Sequence, residues 1–95
     1  MLFHSARNRA LKKGLPFDLV PEDIIIPDVC PITKQSFVRC TKYGASIDKI
    51  DPTKGYVKGN IIVVSKTANM AKGENNAAEI VALARNLIAY YEKHT

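Results

Sequence analysis

Between Asp48 and Lys72 the chain spaces four side chains in a pattern that suits phosphate chemistry: Asp48, Asn60, Asn69 and Lys72. Asp48 and Asn69 offer oxygen donors of the hard type that a divalent cation such as Mg²⁺ prefers. Lys49, Lys54, Lys58, Lys66 and Lys72 surround them in sequence with positive charge, as a bound phosphodiester requires. A plainer reading stands beside this one. An Asp ahead of a turn and an Asn at a helix start are ordinary capping residues, and composition alone does not separate the two readings.

For these groups to meet, the segment needs a hairpin and a helix that returns over it. Residues 46–51 (Ser-Ile-Asp-Lys-Ile-Asp) alternate polar and apolar side chains, which predicts a strand with one buried face. Pro52 ends that strand, and a basic loop with Gly55 and Gly59 follows. Asn60 then opens the β-branched run 61–64, which reads as a second, more buried strand. Residues 65–72 lose the alternation and are rich in helix formers up to a stop at Gly73. Strand, loop, strand and short helix would turn Asp48 and Asn69 toward one point.

The same stretch resembles the HNH endonuclease motif, the ββα-metal or His-Me finger, which runs Asp-His, loop, Asn, apolar strand, then Asn closely followed by Lys. Asp48, Asn60, Asn69 and Lys72 fall in that order, with the nine-residue step from Asn60 to Asn69 that such motifs use. Ser-Ile-Asp-Lys-Ile-Asp, Gly-Tyr-Val-Lys-Gly-Asn and Ala-Asn-Met-Ala-Lys are similar to a subgroup of small, often phage-encoded, HNH-like proteins. The resemblance spans roughly residues 5–90 and is specific in the middle third. It implies an α+β fold with a ββα-metal (His-Me finger) hairpin-plus-helix core, flanked by an N-terminal basic helix and a C-terminal amphipathic helix. It implies a single HNH-like nucleic-acid-binding domain over residues 1–95. The implied activity is metal-dependent cleavage or nicking of DNA phosphodiester bonds, with Mg²⁺ (or Mn²⁺) on Asp48 and Asn69. The catalytic set would be Asp48, Lys49, Asn60 and Asn69, with Asn60 bracing the loop.

The chain departs from that motif in two places. Lys49 stands where the general-base histidine should follow Asp48, and a protonated lysine cannot accept a proton. Asp51, His4 or His94 would then have to act as base, while Lys49 holds a phosphate or the transition state. Many HNH proteins also carry two Cys-x-x-Cys knuckles around a structural zinc. Here the corresponding segments are Cys30-Pro31-Ile32-Thr33 and Ser65-Lys66-Thr67-Ala68, so one ligand of four survives and no structural zinc is expected. Both departures favour the alternative, a catalytically degenerate HNH scaffold that binds nucleic acid or a host protein without cleaving it.

The remaining sequence supplies the supports. Ninety-five residues with 46% apolar content allow one small domain with a limited core. The net charge of +5 points to a polyanionic partner, nucleic acid and DNA first. No apolar run reaches membrane-spanning length and residues 1–4 lack a signal-peptide core, so a cytoplasmic protein is expected, in the host cytoplasm if phage-encoded. Cys30 and Cys40 are expected as free thiols there.

Residues 5–13 predict a short helix with Ser5 as N-cap and an apolar stripe of Ala6, Ala10 and Leu11, ended by Gly14. Arg7, Arg9, Lys12 and Lys13 make it a candidate phosphate-contacting arm, or else a solvated basic face. Phe17 is expected in the core, Pro21-Glu22-Asp23 as a helical turn, residues 24–26 (Ile-Ile-Ile) as core, and residues 36–40 as a possible strand. Tyr43 and Tyr56 could stack on a base or simply fill the core. Asn76-Ala77-Ala78-Glu79 is a capping-box variant that starts the clearest helix of the chain. Its stripe of Ile80, Leu83, Ala84, Leu87, Ile88 and Tyr91 is expected against the sheet and the first helix, with a dimer interface as the minority reading. The oligomeric state is not legible.

Overall fold

The β-branched run of β2 (Ile61–Ser65) pairs antiparallel with β1 (Ala45–Lys49) in a computed structural model that describes residues 2–94. The register sets Ile47 opposite Val63 and Asp48 opposite Ile62. Against this two-stranded sheet lie α1 (Leu2–Lys13) and α2 (Lys66–Lys72), with a 3₁₀ turn at Pro21–Asp23, and α3 (Ala77–Lys93) follows α2. The fold is therefore a small α+β arrangement.

The pleat sends alternate side chains to opposite faces, and here both faces are covered. On one, Ile47 and Val63 join Ala6 and Ala10 of α1, Leu19 and Tyr56 in the main core. On the other, Val64 packs with Ala68 of α2 and with Cys30. Ser46, Asp48 and Lys49 are consequently buried as well, so the expectation of a single buried face on this strand is corrected. The strand also stops at Lys49, leaving Ile50 exposed.

α2 follows β2 without a linker. Ser65 caps it by accepting a hydrogen bond from the Ala68 N–H at 3.2 Å, and Gly73 closes it by donating to the Asn69 carbonyl at 3.0 Å. α1 begins at Leu2 rather than Ser5, because Leu2 and Phe3 pack on the main core and carry the helix one turn further. Leu11 is 71% exposed and lies outside the stripe, while Gly14 ends the helix with φ +66° as expected.

Three other expectations change. Of the isoleucines 24–26 only Ile24 packs on the core, Ile25 and Ile26 facing outward in the segment after the 3₁₀ turn. Residues 36–40 form no strand; Ser36 makes an isolated bridge with Val29, and Cys40 adopts φ 62° in a turn. α3 is built as expected, its capping box closed by reciprocal 2.9 Å bonds between Asn76 and Glu79. Yet no residue of α3 is buried, so its stripe does not form the core against the sheet and α1. The capping box and helix-forming interior specify the helix locally, whereas the sheet faces are already taken by α1 and α2. Among the described residues no helix is long and apolar enough to cross a membrane.

Candidate functional site

Two side chains of α2 reach back to two side chains of β1. Lys72 Nζ lies 3.4 Å from Asp48 Oδ1 and 3.3 Å from Oδ2, and donates to the Lys49 carbonyl at 2.8 Å. Asn69 Nδ2 donates to Ser46 Oγ at 3.0 Å. The spacing explains the match: three residues of helix advance about 4.5 Å and two residues of strand about 6.6 Å, so one helix face can address one strand face. Asp48 is only 6% exposed, and a carboxylate that dry needs its ammonium partner.

The loop between the strands is held by Asn60. Its Oδ1 accepts from the Asp51 N–H at 2.9 Å, and its Nδ2 donates to the carbonyls of Asp51 at 3.1 Å and Gly55 at 2.7 Å. Asn60 is itself buried, which makes these bonds obligatory for the turn. Gly55 has φ +84°, and a Cβ built there would stand 2.6 Å from the Pro16 carbonyl oxygen. The loop thus lies directly on the segment after α1, where Phe17 and Tyr56 form a parallel bridge.

Asp48, Lys49, Asn69 and Lys72 line one cleft of about 230 Å³, together with Arg9 and Lys13 of α1, Tyr56, and Glu74 just beyond α2. Arg9 donates through Nε to the Tyr56 hydroxyl at 3.0 Å and through a terminal nitrogen to the Ile47 carbonyl at 3.1 Å. Arg9 and Lys49 both sit over the Tyr56 ring, at 5.4 and 5.3 Å from its centroid, a cation–π arrangement that keeps two like charges close. Four cations thus face two carboxylates, and both carboxylates are on lysines. Glu74 is held by Lys13 at 3.2 Å, and that hydrogen bond, with the charge of Lys13 next, lowers its pKa.

Asn60 does not line the cleft, since its side chain is spent inside the loop. Of the α1 cations Arg9 and Lys13 line it, whereas Arg7 and Lys12 are exposed elsewhere on the helix. Lys54 is exposed at the loop tip. Lys58 pairs with Asp23 at 2.6 Å, and its backbone N–H donates to Asp18 at 2.8 Å, so it ties the loop to the 3₁₀ turn. Asp23 is lowered and Lys58 raised by that shared hydrogen bond. Lys66 lines a second cleft with Arg39, Cys40 and Ser46; the two clefts share Arg9. Sequence reading missed Arg39 because it lay in an expected strand; its nearness to the α2 start had no local signal.

The candidate bases do not converge on Asp48. His4 lies beside Phe3 on α1, and His94 stacks on Tyr90 at the end of α3. Asp51 accepts from the hydroxyl of Thr53 at 2.7 Å and from its N–H at 3.0 Å, and these bonds lower its pKa. Among the described residues no three of His, Cys, Asp and Glu gather as a metal site. The donor chemistry of Asp48 with Asn69 still fits Mg²⁺, which takes one or two protein oxygens and keeps most of its waters. Lys72 already neutralises that carboxylate, so a cation there would share it with an ammonium or displace it.

The segment 30–33 meets the junction of β2 and α2 at residues 65–68. Cys30 Sγ accepts from the N–H of Ser65 at 3.3 Å and of Thr33 at 3.5 Å, and Cys30 packs with Ala68. The turn itself is closed by the Lys34 N–H on the Cys30 carbonyl at 2.8 Å. Burial, the largest single influence, pushes the Cys30 thiol up. Hydrogen bonds from Thr33, Ser65 and Ile32 together outweigh it and bring the pKa down to about 6. No family model, curated protein or solved structure matches the chain.

Proposed function

We propose that the chain is a nucleic-acid-binding protein of the ββα-metal type that cleaves or nicks phosphodiester bonds, DNA first, with a divalent cation. The observation that carries this reading is the single cleft shared by Asp48, Lys49, Asn69 and Lys72, with Asn60 bracing the loop beside it. The meeting of Cys30 with Ser65 and Ala68, and of Thr33 with Cys30, supports the same relationship, since these are the positions that would have held zinc. Asp48 and Asn69 would hold Mg²⁺ or Mn²⁺, which when bound supplies charge stabilisation at the scissile phosphate. Arg9, Lys13 and Lys49 bind and orient the backbone, their charges fixed in advance by Tyr56 and Glu74. Lys72 holds α2 on β1 and adds a cation where negative charge develops.

A second reading has one observation of its own. No histidine lines the cleft and Asp48 is already ion-paired, which favours a scaffold that binds nucleic acid without cutting it. Incubating supercoiled plasmid and branched DNA with Mg²⁺, Mn²⁺ or EDTA separates the two. The nuclease reading expects metal-dependent nicking that Asp48→Ala abolishes. Its rate should climb with pH without levelling near neutrality, because hydroxide takes the place of a side-chain base, and Lys49→His should raise it near pH 7. Failure to cleave with any divalent cation, alongside DNA binding indifferent to Asp48→Ala, leaves the binding scaffold.

A further inference from the structure

α3 is a 17-residue helix with none of its side chains buried, in a chain whose other elements wrap both faces of the sheet. Its interior reads Ala-Ala-Glu-Ile-Val-Ala-Leu-Ala-Arg-Asn-Leu-Ile-Ala-Tyr-Tyr-Glu-Lys, and Leu83, Leu87 and Tyr90 are 39%, 46% and 56% exposed. Ile80, Leu83, Leu87 and Tyr90 recur at steps of three, four and three, which are the a and d positions of a coiled-coil seam. In that register Arg85 and Glu92 fall on the outer side, and Ala77 and Ala84 flank the seam with small side chains that let another helix approach. An isolated helix of this length is marginal in water unless its apolar stripe is covered.

We infer that α3 is a dimerisation helix that pairs antiparallel with α3 of a second copy. Charge chooses both occupant and direction. Glu79, Arg85, Glu92 and Lys93 sum to zero, so this face does not share the repulsion expected between two chains of net charge +5. Antiparallel packing sets Ile80 against Tyr90 of the second copy and Leu83 against Leu87. It also brings Glu79 beside Lys93 of the second copy at both ends, two symmetric ion pairs. Parallel packing would set Glu79 against Ala84 and Asn86 against Tyr91, with no ion pair. A seam about 25 Å long and 10 Å wide on each copy covers roughly 500 Å² over the pair, about half of the 1,000 Å² typical of a stable interface, so a weak, concentration-dependent dimer is expected.

Sedimentation equilibrium of the full chain from micromolar to millimolar concentration tests this. A monomer–dimer equilibrium is expected. Leu87→Glu should weaken it at least about 100-fold by placing a charge in the seam, while the circular dichroism signal falls by no more than the contribution of α3 and thermal unfolding of the rest of the fold stays unchanged. Lys93→Glu turns two attractions into two repulsions and should weaken dimerisation about tenfold at low salt. Glu79→Gln, which keeps the capping-box acceptor, should shrink that effect to about twofold or less. A chain that stays monomeric throughout, or a dimer that survives Leu87→Glu, overturns the inference. So does a Lys93→Glu effect that ignores Glu79, since this removes the antiparallel pairing. None of these outcomes depends on nucleic-acid cleavage.

Discussion

Replacing Lys72 by methionine keeps the length and apolar stem of the side chain and removes the ammonium between α2 and β1. In the native fold that ammonium lies 3.3 Å from Asp48 Oδ2 and 2.8 Å from the Lys49 carbonyl. The side chains of Lys72 and Asp48 are 14% and 7% exposed, so water cannot replace the lost partner. Removing one member of a buried ion pair costs about 3–5 kcal/mol, most of it from the charge left behind. For a chain of this size that corresponds to a fall in Tm of roughly 10–30 °C. Thermal unfolding followed by circular dichroism measures it. The double variant Asp48→Asn, Lys72→Met should recover most of the loss, because no uncompensated charge remains. If Asp48 and Asn69 accept a divalent cation, Mg²⁺ at a hundred times its Kd should stabilise the single variant by about 2.7 kcal/mol, and at the same concentration the native chain by less. A Lys72→Met variant within about 0.5 kcal/mol of the native stability would refute the argument, since surface changes have that size.

Asn60→Ala should cost about 2–4 kcal/mol in urea unfolding, as three hydrogen bonds are lost and the Gly55 carbonyl is left buried without a partner. Gly55→Ala should cost at least about 2 kcal/mol by the same measurement, because both the backbone angle and the nearby Pro16 oxygen oppose a Cβ. The Cys30 thiol titrates at about 6 in the fold against 9.0 for a free thiol, so its folded value is depressed and the unfolded state holds the proton more tightly. Stability should therefore rise with pH between about 6 and 9 and lose this gain as pH falls through the folded value, a slope that Cys30→Ser should flatten in pH-dependent melts. Replacing Arg9 and Lys13 by alanine should flatten the salt dependence of the proposed nucleic-acid binding more than replacing Arg7 and Lys12, since only the former pair lines the cleft.

The hairpin and α2 were legible because turn and cap residues mark their ends: Pro52 and Gly55 in the loop, Asn60 before β2, Ser65 and Gly73 around α2. The convergence of Asp48 and Asn69 on one cleft followed from that order of elements. Burial was less legible. The alternation of residues 46–49 does not reveal that α2 covers the polar face, because Ser46 and Asp48 look like solvent residues until Asn69 and Lys72 bond them. Apolar character also failed as a guide to the core at Ile25, Ile26 and in α3, whereas the small alanines Ala6 and Ala10 of α1 are fully buried in it. The role of Lys58 depended on Asp23, 35 positions away, and no local pattern signals such a partner.

The two cysteines give the molecule a pair of clocks. Cys40 is exposed and reacts with a thiol reagent without any opening of the fold. Cys30 has no exposed surface, and its sulfur accepts the Ser65 N–H at the point where β2 becomes α2. A reagent can reach it only when the start of α2 lifts from the turn at residues 30–34, so its labelling rate reports how often that junction opens. Because α2 also carries Asn69 and Lys72, the slow thiol times the assembly and disassembly of the cleft itself, with the fast one as its internal reference.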